Sequence, residues 1–245
     1  MSRAARARAV LQAAEQLHGV SRLAVVPASA ASVSSVPVEQ RPAAAQDEAP
    51  VPLEGAFAVP SAFAQILPQG LPRGAVCCVQ GSTALLLALA AHVSAQDGWV
   101  AFVGMADLNF VAALDLGMDL SRVVVIPEPG GQVPEIMATL IDGMDLVVTA
   151  QRVGLTSAQQ SRLSARARER GTTLLVAGAW PQARLHISGQ AGAWQGAKQG
   201  LGRLTTCSYR LQRGTSAHGF KRVDVQLHNG RFQAVAQHTA LRLLA

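Results

Sequence analysis

The sequence predicts an α/β domain: a mostly parallel sheet flanked by helices and closed by antiparallel strands. Three observations carry this expectation. Short apolar runs of strand length, such as 122–126 (RVVVI) and 145–149 (DLVVT), alternate with helical stretches, the pattern of a sheet covered on both faces. Hydrophobic residues make up 49% and aromatic residues only 4%, which suits helix-covered strands better than a sandwich. Towards the end, alternating segments flank Asn229-Gly230, a strong hairpin signal.

In chain order, Val10, Leu11, Ala14 and Leu17 recur at helical spacing, with Arg3 and Arg6 on other faces and Gly19 as a stop. Residues 1–24 therefore read as an N-terminal amphipathic helix. It is too short to be stable alone and is expected to dock on its own core or on a partner chain. Residues 25–52 read as an Ala/Ser/Pro-rich linker, because Pro27, Pro37, Pro42 and Pro50 oppose both helix and strand. Such a tether favours the partner. Residues 53–245 form the core domain.

Within the core, Ser61 is expected to cap a short helix over 62–67, and 68–74 is a tight Pro/Gly connection. Residues 75–80 make a buried strand, Gly81 turns the chain, and an apolar helix runs on from about Ser82. Strands follow over 98–104, 122–126, 145–149 and 172–177. Helices over 108–116, 132–141 and 158–170 separate them. Thr156 or Ser157 caps the last helix, Gln159 or Gln160 completes a capping box, and Gly171 ends it. Residues 189–202 read as a mobile glycine-rich loop. Alternation over 204–213, 221–227 and 231–236 supplies the closing strands.

Composition excludes several classes. The longest apolar run, Ala84 to Ala91, is too short to cross a bilayer, and few rings are available for stacking single-stranded bases. Adjacent Cys77 and Cys78 would point to opposite faces of one strand in a structural, buried role. The six histidines lack ligand spacing and Cys77-Cys78 lacks a second pair, so no metal site is expected, and no motif calls for a cofactor. A reducing cytoplasm fits the cysteine usage.

Net charge is +6 and unevenly spread: residues 151–245 carry fourteen basic and two acidic side chains, residues 61–150 two basic and eight acidic. The basic end suggests an anionic partner, either nucleic acid or an acidic protein surface. Arg162, Arg166 and Arg170 fall at i, i+4 and i+8 as one stripe. The alternative is a solvated face partly neutralised by Glu169. Lys198, Arg203, Arg210, Arg213, Lys221 and Arg222 form a second candidate surface across the glycine-rich segment and closing strands.

The strand, glycine turn and helix at 75–91 build the scaffold on which P-loop proteins hold phosphates. That grip needs G-x-x-x-x-G-K-[ST], so that backbone amides and a lysine surround the phosphates. Here the turn is Gly81-Ser82-Thr83, with no second glycine and no lysine. Ser82 lacks the G-x-S-x-G surroundings of a nucleophile and reads as a helix cap.

Several phrases in the same order resemble the RecA-like recombinases: Leu71-Pro72-Arg73-Gly74 before the P-loop strand, then Ala101-Phe102-Val103, Leu116-Gly117-Met118-Asp119 and Val123-Val124-Val125. Residues 145–149 stand where that family has its Walker B strand, with 173–177, 204–213 and 223–230 following as core and closing strands. The resemblance covers roughly residues 55–235. It implies a catalytic glutamate at about Met105 and a Mg²⁺-holding aspartate at about Thr149, and neither side chain can do that work. Asp107 lies two residues beyond the first of these, past the strand end. Loss of three parts of one ATPase implies a domain that neither hydrolyses ATP nor binds it tightly.

A degenerate RecA-like core with an Ala/Pro-rich lead resembles the ImuA type of accessory protein, in its actinobacterial ImuA-prime variety. The resemblance implies a non-catalytic adaptor of the DNA-damage-inducible mutasome. Its partners would be an ImuB-type inactive Y-family polymerase and an error-prone replicative-type polymerase, with RecA and DNA as further contacts. It also implies translesion synthesis in the cytoplasm, at the nucleoid when induced. Alternatives are a diverged RecA-like ATPase, a SulA-type inhibitor of cell division, and a module that restrains RecA.

Overall fold

A computed structural model describes residues 55–150, 153–197, 204–215 and 219–235. The N-terminal helix and linker expected over 1–52 lie outside the described residues, as do Lys198 and Arg203. The core opens with a two-residue antiparallel pair, β1 (Ala56–Phe57) and β2 (Leu71–Pro72). Between them Ser61–Phe63 is a 3-10 turn whose N-cap is Pro60, with no side-chain cap bond. Ser61 therefore begins this turn and does not cap a helix.

A nine-stranded sheet follows. Its strands are β3 (Val76–Gln80), β4 (Val100–Val103), β5 (Val123–Ile126), β6 (Leu146–Ala150), β7 (Thr173–Ala177), β8 (Leu185–Gln195), β9 (Thr206–Thr215), β10 (Gly219–His228) and β11 (Arg231–Ala234). They lie in the order β11-β10-β9-β8-β3-β7-β6-β4-β5. Strands β3 to β8 pair in parallel and β8 to β11 antiparallel. The α/β class with antiparallel closing strands is thus the observed architecture.

Four helices connect the parallel strands: α1 (Thr83–Ala95), α2 (Phe110–Asp115), α3 (Val133–Gly143) and α4 (Ser157–Arg170). Strand alternation divides their packing into two layers. Cys77, Val79, Val100, Phe102 and Val148 face α1. Cys78, Ala101, Val103, Val147 and Val176 face α3 and α4. The cysteines do point to opposite faces, and both are fully buried.

Helix α1 is buried nearly all round, from Leu85 through Ala91. A helix apolar on every side needs cover beyond the sheet. The segment from Phe57 to Leu71 supplies it, with Phe63, Ile66 and Leu67 in the same cluster as Leu85 and Leu89.

Local signals set the helix ends. Ser82 caps α1 through Leu85 N–H (3.1 Å). Thr156 and Gln159 form the capping box of α4, and Gly171 closes it in the left-handed conformation. Asn229 and Gly230, both at positive φ, turn the β10–β11 hairpin.

The expectation of a glycine-rich loop from 189 is corrected: β8 continues to Gln195 and pairs with β9 across a bulge between Ala191 and Trp194. A ladder joins backbone groups, so a strand poor in side-chain preference is held by its neighbour.

Candidate functional site

The carboxyl ends of β3, β4 and β6 are where an open parallel sheet usually holds a ligand. Here Gln80, the last residue of β3, is joined to α1 by Gly81 and Ser82 alone. Gly81 has φ +76°, and a Cβ on it would stand 2.6 Å from the Gly189 carbonyl oxygen. Strand β8 therefore lies directly against the turn. Gly189 also packs on Ser82, Leu85 and Leu211, where an added Cβ would find all three within 3.3 Å.

Tyr209 stands beside the same turn. Burial raises its phenol above the ordinary value, neighbouring Cys207 acts in the same direction, and the Ser82 hydroxyl opposes both. The turn is closed by a neutral phenol and by backbone.

The next two strand ends are filled as well. Gly104, at φ +70°, leaves β4 so close to Val153 that a Cβ would meet its Cγ1 at 2.7 Å. Met105 packs as a partly buried member of the α1-side cluster. Thr149 is fully buried, and its hydroxyl donates to the Ala150 carbonyl at 3.3 Å. No carboxylate stands at either position. Thr83, first residue of α1, is exposed.

The basic candidates separate once placed. On α4, Arg166 pairs with Asp142 of α3 through Nε–Oδ1 (2.8 Å) and a second bond to Oδ2, and Arg170 reaches Oδ1 at 3.1 Å. The Arg166 bonds are the main reason the Asp142 carboxyl sits below the usual range. Two of the three stripe arginines thus share Asp142 across helices, and Glu169 adds to the stabilisation of the Arg166 charge. Arg162 stays exposed, with no partner among the described residues.

In the closing strands the pairing register decides which way each cation faces. Arg210 stands opposite Asp224, and Arg222 opposite Gln212. They share the outer face with His186 and Gln190 of β8, and Arg210 Nε bonds Asp224 Oδ1 at 3.1 Å. Arg213 and Lys221 pair with each other and so belong to the inner face. Arg213 is half-buried there and donates to the Ile66 carbonyl at 3.0 Å. Through that bond it braces the 55–72 segment from the inner face. Lys221, at the strand end, remains exposed.

Among the described residues, no helix lies over the outer face of β8 to β11. Every buried apolar residue these strands contribute, including Ile187, Leu211, Val225 and Phe232, belongs to the α1-side cluster. Helices α3 and α4 cover only the parallel half. What remains is an open polar surface bearing Arg210 and Arg222, with Phe220 exposed at its tip. The sequence marked these cations, but alternation alone could not say which face lay bare.

Among the described residues no group of three or more His, Cys, Asp or Glu converges as a metal site, and no helix is long and apolar enough to cross a membrane.

Residues 65–182 match the family model described as the MT3502 N-terminal domain. The chain is also 39% identical over 183 residues to a Mycobacterium tuberculosis protein, "Uncharacterized protein Rv3395c", a match spanning 70% of this chain and 82% of that relative. With this identity across most of both chains, and residues 65–182 matching the domain model, the protein belongs to the family of that mycobacterial protein and of the MT3502 N-terminal domain.

Proposed function

We propose that this protein is a non-catalytic, RecA-like adaptor of the ImuA type, in its actinobacterial ImuA-prime variety, acting in a DNA-damage-inducible mutasome. In this role it bridges an ImuB-type inactive Y-family polymerase and an error-prone replicative-type polymerase, with RecA and DNA as further contacts, to support translesion synthesis. The observation that carries the reading is the closed β3–α1 turn, where the Gly189 carbonyl abuts Gly81 and no lysine is present. Met105 and Thr149 at the neighbouring strand ends point the same way, since neither can activate water or hold Mg²⁺.

An adaptor needs a surface in place of a pocket. The outer face of β8 to β11 has the chemistry for an acidic partner, because among the described residues Arg222 meets no carboxylate there and Arg210 pairs with exposed Asp224. The test is co-purification of the full chain with the ImuB-type polymerase, using the double variant R210E/R222E. Retention by wild type and loss in the variant is expected. Equal retention would remove this face from the proposal, and sustained Mg²⁺-dependent ATP hydrolysis by purified wild type would overturn the non-catalytic reading.

A further inference from the structure

At the amino ends of the central strands, opposite the closed turn, lies a half-open cleft of about 320 Å³. Gly74, Ser164, Gln182 and three arginines, Arg73, Arg168 and Arg184, line it. Three separate pieces of chain meet there: the turn before β3, the last turns of α4, and the connection from β7 to β8. Because strand ends of the opposite polarity carry the degenerate nucleotide turn, this cleft is independent of that site.

The three arginines differ in what they already hold. Arg73 donates to Asp145 at 3.3 Å and lies 3.8 Å over the Phe57 ring, so it is committed to the fold. Arg168 and Arg184 are exposed, and neither has a hydrogen-bond or ion-pair partner among the described residues. On the same helix Arg166 and Arg170 share Asp142, whereas Arg162, like Arg168, has no partner among the described residues.

The polar neighbours are held in place. Ser164 Oγ donates to the Gln160 carbonyl (2.8 Å) and accepts from the buried Trp180 Nε1–H (2.9 Å). Gln182 Nε2 donates to Ser161 Oγ at 2.9 Å. Two uncommitted guanidinium groups beside one cleft repel each other until an anion comes between them. The carbonyl end of α4 opposes an anion, so the guanidinium groups must supply the attraction. Their planar forks match phosphate oxygens in pairs.

We propose that this cleft binds a phosphomonoester of nucleotide size, with Arg168 and Arg184 holding the phosphate. A dianion balances the two uncommitted charges. The volume lies at the lower end for small-molecule sites, so it admits more than a bare phosphate. The same chemistry is offered by a free mononucleotide and by the 5′-phosphate of a DNA strand.

The test is calorimetric titration of the full chain with AMP, adenosine, inorganic phosphate, and a short single strand with or without its 5′-phosphate. AMP is expected to bind, phosphate to compete, and adenosine to give no heat. R168Q and R184Q should each weaken AMP by about tenfold, the usual cost of losing a hydrogen bond to a charged group. R162Q, on an outer turn of the same helix, should match wild type. Melting curves without ligand control for folding, since both substituted side chains are exposed and unpaired. Preference for the phosphorylated strand over AMP assigns the site to a DNA end, and the reverse preference to a mononucleotide. Adenosine binding as tightly as AMP, AMP binding unchanged in R168Q/R184Q, or no binding at millimolar AMP would each overturn the proposal.

Discussion

Gly81 and Gly189 meet backbone to backbone, so closely that a Cβ on the first would lie 2.6 Å from the carbonyl oxygen of the second. This contact joins the β3–α1 turn to β8, the strand at which the sheet changes from parallel to antiparallel. It accompanies a connection of only two residues, Gly81 and Ser82, between β3 and α1.

Gly81→Ala tests that contact. The left-handed conformation alone disfavours alanine by about 1–2 kcal/mol, and the collision with Gly189 adds to it. A lower urea midpoint with an unchanged slope is expected. A variant as stable as wild type would mean that β8 does not rest on the turn.

Asp142 joins α3 to α4. Its carboxyl is held below the ordinary range, first by hydrogen bonds from Arg166 and then by the nearby charges. The stabilisation is therefore full above the unfolded-state carboxylate pKa and is lost as pH falls through the lower folded value. Asp142→Asn should cost about 1 kcal/mol at neutral pH, a modest figure because the pair is partly solvated. The gap from wild type should close below about pH 4. The same variant releases Arg166 and Arg170, so stronger retention on heparin at low salt is expected. Stability curves that stay parallel down to pH 2 would disprove the linkage.

The three cysteines are free and buried. Burial pushes the Cys77 thiol up to about 12, with Cys78 acting in the same direction, and Cys78 itself to about 11. A neutral, enclosed thiol does not attack disulfides. No labelling by a thiol-exchange reagent is expected in the native state at pH 8, and three equivalents in denaturant. Rapid labelling of the folded protein would contradict the packing around β3.

Trp180 and Ser164 form a buried pair, indole N–H to hydroxyl at 2.9 Å. Ser164→Ala leaves the indole donor without its partner, at a cost of about 1–3 kcal/mol. A lower melting temperature together with a changed tryptophan emission spectrum is expected. Loss of stability without a spectral change would place the effect elsewhere on α4.

Much of the fold was legible because its signals are local. Thr156 and Gln159 bracket one helical turn, Asn229-Gly230 is a hairpin within itself, and Cys77-Cys78 alternate by the geometry of any strand. The residue types at the β3–α1 turn and at positions 105 and 149 were equally readable, since they are given by the sequence itself. Ser61 misled, because Pro60 before it took the cap position and the segment wound as a 3-10 turn.

What the sequence determined by itself was therefore the class of most elements, many of their ends, and the residue types at the strand tips. Tertiary structure alone decided which cations are free. Arg166 meets Asp142 across 24 residues, and Arg213 reaches Ile66 across 147. It also made residues 189–195 a strand, through backbone pairing with β9, and left Arg168 and Arg184 together at one cleft. The physical reason is the same throughout. Caps and turns are settled among neighbours within a few residues, whereas ladders, ion pairs and clefts depend on segments that meet only when the sheet is assembled.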